Sequence, residues 1–109
     1  MRIYKLFSIL ALFAFAPFAH AQSDGHTYLQ FGCDQCHGRV GQGSGAGLRL
    51  APAPLEFEDF ADIVRRPYGV MPAYSPKVLS DEQLGRIHAY LSGIPEPPAL
   101  DAIPLLQLD

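Results

Sequence analysis

Basic residues, cysteines and alternating apolar patterns are all scarce in this sequence, and each scarcity excludes a class of protein. The 109 residues contain 8 Lys and Arg against 11 Asp and Glu, so nucleic acid and anionic lipid are poor partners. Only two cysteines are present, whereas a zinc site built on cysteine pairs would need a second pair. No segment alternates apolar and polar residues as a half-buried strand does. We therefore expect a small all-α protein.

The first 21 residues have the pattern of a secretory signal peptide. Arg2 and Lys5 precede an apolar run, and Ala19-His20-Ala21 forms an A-x-A cleavage site. The run is short for a membrane span, with an uncleaved anchor as the alternative. Cleavage after Ala21 leaves 88 residues with 6 basic and 11 acidic side chains, a formal net charge of −5. We expect an exported, soluble, periplasmic protein with no membrane span after cleavage.

Three helices joined by long loops are predicted in the mature chain. The first covers about residues 25–33, the second the segment LEFEDFADIVRRP, and the third the segment SDEQLGRIHAYLSG. The second has apolar residues at helical spacing, and Arg65 and Arg66 in its last turn are typical partners of the helix dipole. Ser80 and Gln83 form a capping-box pattern at the start of the third.

The chain divides into three predicted regions. Residues 1–21 are the signal peptide, residues 22–95 form one domain, and residues 96–109 form a proline-rich tail. The tail carries several apolar residues beyond the last helix. It is predicted to be either a free terminus or a short apolar hook that orders on a partner.

The segment FGCDQCHG contains both cysteines, three positions apart, with His37 directly after the second. CxxCH is the spacing at which two thiols attach haem covalently and the next histidine reaches the iron. Attachment also explains a cysteine pair in an exported protein, because thioether bonds remove the thiols that an oxidising compartment would otherwise join. Cys33 and Cys36 are therefore predicted to bind one haem c, and His37 to ligate its iron.

Two other chemistries use closely spaced cysteines and remain as alternatives. A zinc site would need two more ligands, for which the mature chain offers His26, His37 and His88 but no second cysteine pair. A thioredoxin-like redox pair would need a βαβ context, and nothing strand-like precedes Cys33. Each signal is incomplete in this sequence.

Met71 is the only thioether left once the signal peptide is removed, and it lies 34 residues after His37. Its loop is stiffened by Pro67 and Pro72. A soft sulfur on a rigid loop opposite an imidazole suits an electron carrier, so Met71 is the predicted second axial ligand. Its alternative use is as a flexible filler of the core. The rival ligands are His26, His88 and Lys77, of which the two histidines are predicted to be surface or boundary residues.

The sequence resembles the class I c-type cytochromes, the small bacterial monohaem kind. The resemblance covers roughly residues 25–98 and rests on GHTYLQFGCDQCHG, RRPYGVMPAYS and LSDEQLGRIHAYLSGIP. It implies a small cytochrome c fold of three to four helices and long loops wrapped around one covalently bound haem. It implies that Cys33 and Cys36 attach the haem and that His37 and Met71 are the axial iron ligands.

The resemblance also implies details of packing. Where the family often has Gly-Pro after the haem histidine, this chain has Gly47-Leu48. A backbone carbonyl at this point commonly accepts the Nδ1 hydrogen of the ligand histidine. The terminal helices are expected to cross at Gly25, Leu29, Ile87, Tyr90 and Leu91.

Together these patterns predict a periplasmic monohaem cytochrome c that carries single electrons between a dehydrogenase or respiratory complex and an acceptor. It would not be an enzyme, although it can be the cytochrome subunit of an oxidoreductase complex. The partner is predicted to be a redox protein with a basic docking surface, because the mature charge is negative and haem propionates add to it. The alternatives are a haem-based ligand binder or peroxidase-like protein with an open sixth coordination site, and a structural subunit anchored by its haem.

Overall fold

The computed structural model describes residues 25–52 and 54–107, and every regular element in these two ranges is helical. The signal peptide predicted over residues 1–21 lies outside the described residues. The helices are α1 (His26–Gln30), α2 (Asp34–His37), α3 (Phe57–Arg65) and α4 (Asp81–Ser92), followed by 3₁₀ turns at Leu100–Ala102 and Pro104–Leu106. The prediction of an all-α chain with long loops is confirmed.

Helices α3 and α4 form where local signals predict them. At the start of α4 the Ser80 hydroxyl accepts a bond from the backbone N–H of Gln83, and the Gln83 side chain accepts one from the backbone N–H of Ser80. This is the predicted capping box, and it satisfies two N–H groups that a helix start leaves unpaired. In α3 the buried face contains Phe60 and Val64, four residues apart.

The first predicted helix is shorter than expected, because it ends at Gln30 rather than near Cys33. Gly32 adopts a left-handed conformation with φ of 72°. The backbone N–H of Cys33 bonds to the carbonyl of Tyr28, and that of Gly32 to the carbonyl of Leu29, which is the Schellman pattern of helix termination. The chain then restarts as α2, so the cysteine pair lies on its own short helix.

The core forms where α1 and α3 both pack against α4. Tyr28 of α1 is fully buried, with its ring centroid 5.5 Å from that of Tyr90 in α4. Leu29, which was expected at this crossing, is instead 36% exposed, because the helix rotation points Tyr28 inward. The buried apolar residues are Tyr28, Ala51, Phe60, Val64, Leu79, Leu84, Ile87 and Leu91, here called the core cluster.

Gly25 allows the close crossing of α1 and α4. A Cβ at this position would lie 2.8 Å from the ring of Tyr90, and the residue has a φ of 66°. The position thus combines a left-handed backbone with contact against a partly buried aromatic ring. The predicted role of Gly25 at the crossing is confirmed.

We expect Gly25→Ala to destabilise the haem-loaded protein by about 1–3 kcal/mol, because alanine adds left-handed strain and overlap with Tyr90. The matched control is Gly85→Ala in α4, where a Cβ meets nothing within 4 Å. Removing a helix-interior glycine there should stabilise by up to about 1 kcal/mol. Denaturant unfolding of both variants checks the difference, and equal effects would contradict the packing argument.

The tail beyond α4 adds little to the core. Ile94 packs against the core cluster, whereas Leu100, Leu105 and Leu106 are exposed. Within the two described ranges, no helix has the length and apolar character that crossing a membrane requires.

Candidate haem-attachment site

The cysteine pair is held on α2, with Cys33 at its N-cap, Cys36 in its last turn and His37 as its final residue. Both thiols are free, and Cys33 packs against the core cluster while Cys36 is exposed. Burial raises the pKa of Cys33 to about 11. Cys33 is therefore a protonated thiol at neutral pH, which slows disulfide exchange.

The imidazole of His37 is oriented by the backbone. Its Nδ1 lies 2.7 Å from the carbonyl oxygen of Leu48. A carbonyl oxygen only accepts hydrogen bonds, so Nδ1 carries a hydrogen, and in the neutral imidazole Nε2 then keeps its lone pair. A histidine whose Nδ1–H is bound to a carbonyl and whose Nε2 is unprotonated is the form that ligates a metal ion.

The loop after His37 is bonded closely to α2. The N–H of Gly43 donates to the carbonyl of His37 at 2.7 Å, and the hydroxyl of Ser44 donates to the carbonyl of Cys36 at 2.5 Å. A Cβ at Gly47 would lie 2.7 Å from the Cys36 carbonyl oxygen, so this approach requires glycine. The loop therefore positions Leu48 to accept from His37 without any need for the proline that the family often has there.

Met71 lies in the loop between α3 and α4. Its side chain is half-buried and packs against the same core cluster as Cys33, Phe31 and Tyr74. The predicted sulfur ligand and one of the predicted attachment cysteines thus both contact the core cluster. Since a haem needs apolar surroundings, an oriented imidazole, thiols and a soft sixth donor, the residues present fit the group.

The rival ligands lie in other surroundings. The Nε2 of His88 is 2.7 Å from the carbonyl oxygen of Leu55, and the ring packs against Phe57 and Phe60. Lys77 is exposed, and His26 is exposed at the start of α1. In the part of the chain that the structure describes, no group of three or more His, Cys, Asp or Glu residues is arranged to hold a metal ion.

Arg65 has a role that the sequence pattern did not indicate. The sequence favoured a role for Arg65 and Arg66 as dipole partners of α3, with pairing to haem propionates as the alternative. In the structure Arg66 pairs with Asp62 on the surface, whereas Arg65 bonds to the loop that carries Met71. The sequence does not distinguish the surroundings of two adjacent arginines, because these depend on how α3 is rotated against the rest of the fold.

The helical fold, the CxxCH helix and the carbonyl-bound histidine together define a c-type cytochrome domain. The model of the family described as cytochrome c oxidase, cbb3-type, subunit III matches residues 20–91, about two thirds of the chain, which therefore belongs to this family. No curated protein and no solved structure matches the chain significantly. Membership confirms a c-type cytochrome with a small cytochrome c fold, and it implies covalently bound haem c and electron transfer. The narrower assignment to class I stays a prediction.

Proposed function

We propose that this chain is a periplasmic monohaem cytochrome that carries single electrons between a dehydrogenase or respiratory complex and an acceptor. One haem would be attached at Cys33 and Cys36, with His37 and Met71 as the axial ligands of its iron. The observation that carries the proposal is the 2.7 Å contact between Nδ1 of His37 and the carbonyl oxygen of Leu48. In the neutral imidazole it leaves the Nε2 lone pair, on the residue that follows Cys36, available to a metal ion.

Several residues of the chain would hold the haem and adjust its properties. When bound, haem iron supplies a centre that gains or loses one electron. The Leu48 carbonyl orients the His37 ring and makes it a stronger donor. Met71 favours the ferrous state through its soft sulfur, and the core cluster keeps water away from the group. No residue is assigned to bond-making chemistry on a substrate, so we propose an electron carrier rather than an enzyme.

The proposed partner is a redox protein with a basic docking surface. The family name refers to an oxidase subunit, which supports a respiratory complex as the proposed partner. Exposed carboxylates lie in the first turn of α3 at Glu58 and Asp59. Together with the net charge of −5 predicted for residues 22–109, they support docking onto Lys and Arg side chains.

The ferric protein, purified from the periplasm with its haem, tests the proposed ligation. We expect the weak far-red charge-transfer band that methionine sulfur gives on ferric iron, together with reversible one-electron reduction. We also expect little binding of carbon monoxide to the ferrous form, because both axial positions are filled. Rapid carbon monoxide binding without the far-red band would instead support the alternative of an open sixth site.

We expect the rates at which cationic and anionic oxidants oxidise the reduced protein to change in opposite directions as the salt concentration increases. The rate with cationic tris(phenanthroline)cobalt(III) should fall about three- to tenfold between low and high ionic strength, since salt screens attraction to a negative protein. The rate with anionic ferricyanide should rise over the same series. Stopped-flow kinetics measures both rates. Rates that do not change with salt would contradict the proposal of a partner with a basic docking surface.

A further inference from the structure

The loop that carries Met71, residues 66–80, is held at Tyr74 by contacts with two other segments. The backbone N–H of Tyr74 donates to the carbonyl of Val64 at 3.1 Å. Its hydroxyl donates to the carbonyl of Phe31 at 2.8 Å, and the two rings meet edge to face with centroids 6.4 Å apart. Phe31 lies two residues before the first cysteine. Tyr74 therefore joins the Met71 loop to the segment that carries the haem-attachment residues.

Arg65 binds the same loop through two backbone carbonyls. Its Nη1 donates to the carbonyls of Tyr74 and Leu79, each at 2.8 Å, and its Nη2 lies 2.6 Å from Oδ1 of Asp81. Only 17% of the Arg65 side chain is exposed, against 77% for Arg66. A mostly buried guanidinium needs such partners, because an unpaired charge in the interior is strongly unfavourable.

These bonds link the loop at Tyr74 to the residues that precede it. Val64 and Arg65 lie just before the loop and both bond to Tyr74, so residues 66–73 form a closed subloop. Met71 lies in this subloop, three residues before Tyr74. The second Arg65 bond, at Leu79, fixes the remainder of the loop to the start of α4.

We propose that Arg65 and Tyr74 are positioning residues for Met71, and that together they set how readily an external ligand displaces its sulfur from the iron. The proposal rests on the ligation of iron by Met71 proposed above. An external ligand can bind only when the thioether moves away, and this movement requires the loop to shift. Bonds that hold the loop closed therefore oppose displacement without touching the iron themselves.

Cyanide binding to the ferric, haem-loaded protein measures this displacement. We expect Tyr74→Phe, which loses only the bond to Phe31, to raise cyanide affinity about five- to tenfold. Arg65→Gln loses the charged fork and should raise it about 10- to 100-fold. As the pH or the denaturant concentration is raised, the far-red band should be lost earlier in both variants than in the wild type.

Each variant has a matched control on the same segment. Arg66→Gln makes the same charge change one residue away, at an exposed side chain paired only along its own helix with Asp62. Tyr68→Phe removes the same hydroxyl from an 81% exposed ring of the same loop. Both controls should stay within about twofold of the wild type in cyanide affinity.

A double-variant test separates positioning from general stability. In Met71→Leu the sulfur is already gone, so adding Arg65→Gln should raise cyanide affinity by less than about twofold. If Arg65→Gln raises cyanide affinity as much in Met71→Leu as it does in the protein that keeps Met71, the proposal is overturned, since the effect does not act through Met71. Variants with a lower unfolding temperature but unchanged band and cyanide affinity would also overturn it.

The wild-type spectrum distinguishes this failure from a failure of the proposed ligation. A far-red band that is present in the wild type and unaffected by Arg65→Gln and Tyr74→Phe would overturn the positioning role alone. A wild-type protein without the band would overturn both the ligation by Met71 and the role of the residues that hold it.

Discussion

Replacing Met71 by alanine should lower the reduction potential by on the order of 0.1 V or more, within the span of roughly 0.8 V that axial ligands control. Thioether sulfur favours ferrous iron, whereas a water molecule or a nitrogen donor that replaces it favours ferric iron. The far-red band should vanish, and the iron should bind cyanide and carbon monoxide. Spectroelectrochemical titration and ligand binding of the haem-loaded protein measure these changes.

Met71→Leu is the control that separates ligation from packing. Met71 is half-buried against the core cluster, and leucine has nearly the same volume, so the packing contribution to the loss of stability should stay below about 1.5 kcal/mol, apart from the lost bond to iron. Its potential and ligand binding should nevertheless match those of Met71→Ala, because the sulfur is missing in both. If Met71→Leu keeps the wild-type potential, Met71 is a core residue and not a ligand.

The helices that the sequence predicted well are those with strong local signals. In α4 the Ser80 and Gln83 side chains satisfy backbone groups within their own turn, so the signal and the structure involve the same residues. The first helix was predicted too long, because its bulky apolar residues continue to Phe31, beyond the last helical residue Gln30. The left-handed turn at Gly32 depends on a backbone angle and on bonds back to Tyr28 and Leu29, which apolar spacing does not report.

The candidate site shows the same division between local and tertiary information. The CxxCH spacing is local, and it identifies the thiols and the adjacent histidine by itself. The resemblance to class I cytochromes indicated a carbonyl acceptor near Gly47-Leu48, and a main-chain oxygen is present there whatever the side chain. The role of Arg65 could not be predicted, since it depends on the path of a loop that returns to α3 at Tyr74 and Leu79.

The small core explains why haem attachment should matter for folding as well as for electron transfer. Within the described residues, eight apolar residues are buried in the core cluster. A mature chain of the predicted 88 residues is near the lower limit for an apolar core without a further cross-link. Two thioether bonds to one large apolar group would supply such a link and add buried surface next to Cys33.

The double variant Cys33→Ser/Cys36→Ser should therefore carry no covalent haem and lose most of its folded stability. Intact mass under denaturing conditions should show the wild type as the chain beginning at Gln22 plus one haem, and the double variant as the chain alone. Serine is nearly the size of cysteine but forms no thioether bond. Helical content and unfolding temperature should fall sharply in the double variant, because the group that completes the core is not retained.

Single variants and a neighbouring control make the attachment test specific. Cys33→Ser and Cys36→Ser each leave one thiol on α2, so each should keep haem through one bond at reduced yield. Gln35→Ser changes an exposed residue between the two cysteines and should retain full haem content. A wild-type mass equal to the haem-free chain with its cysteines joined as a disulfide would contradict the attachment. In that case the two thiols would have formed the disulfide that is usual for a cysteine pair in an oxidising compartment.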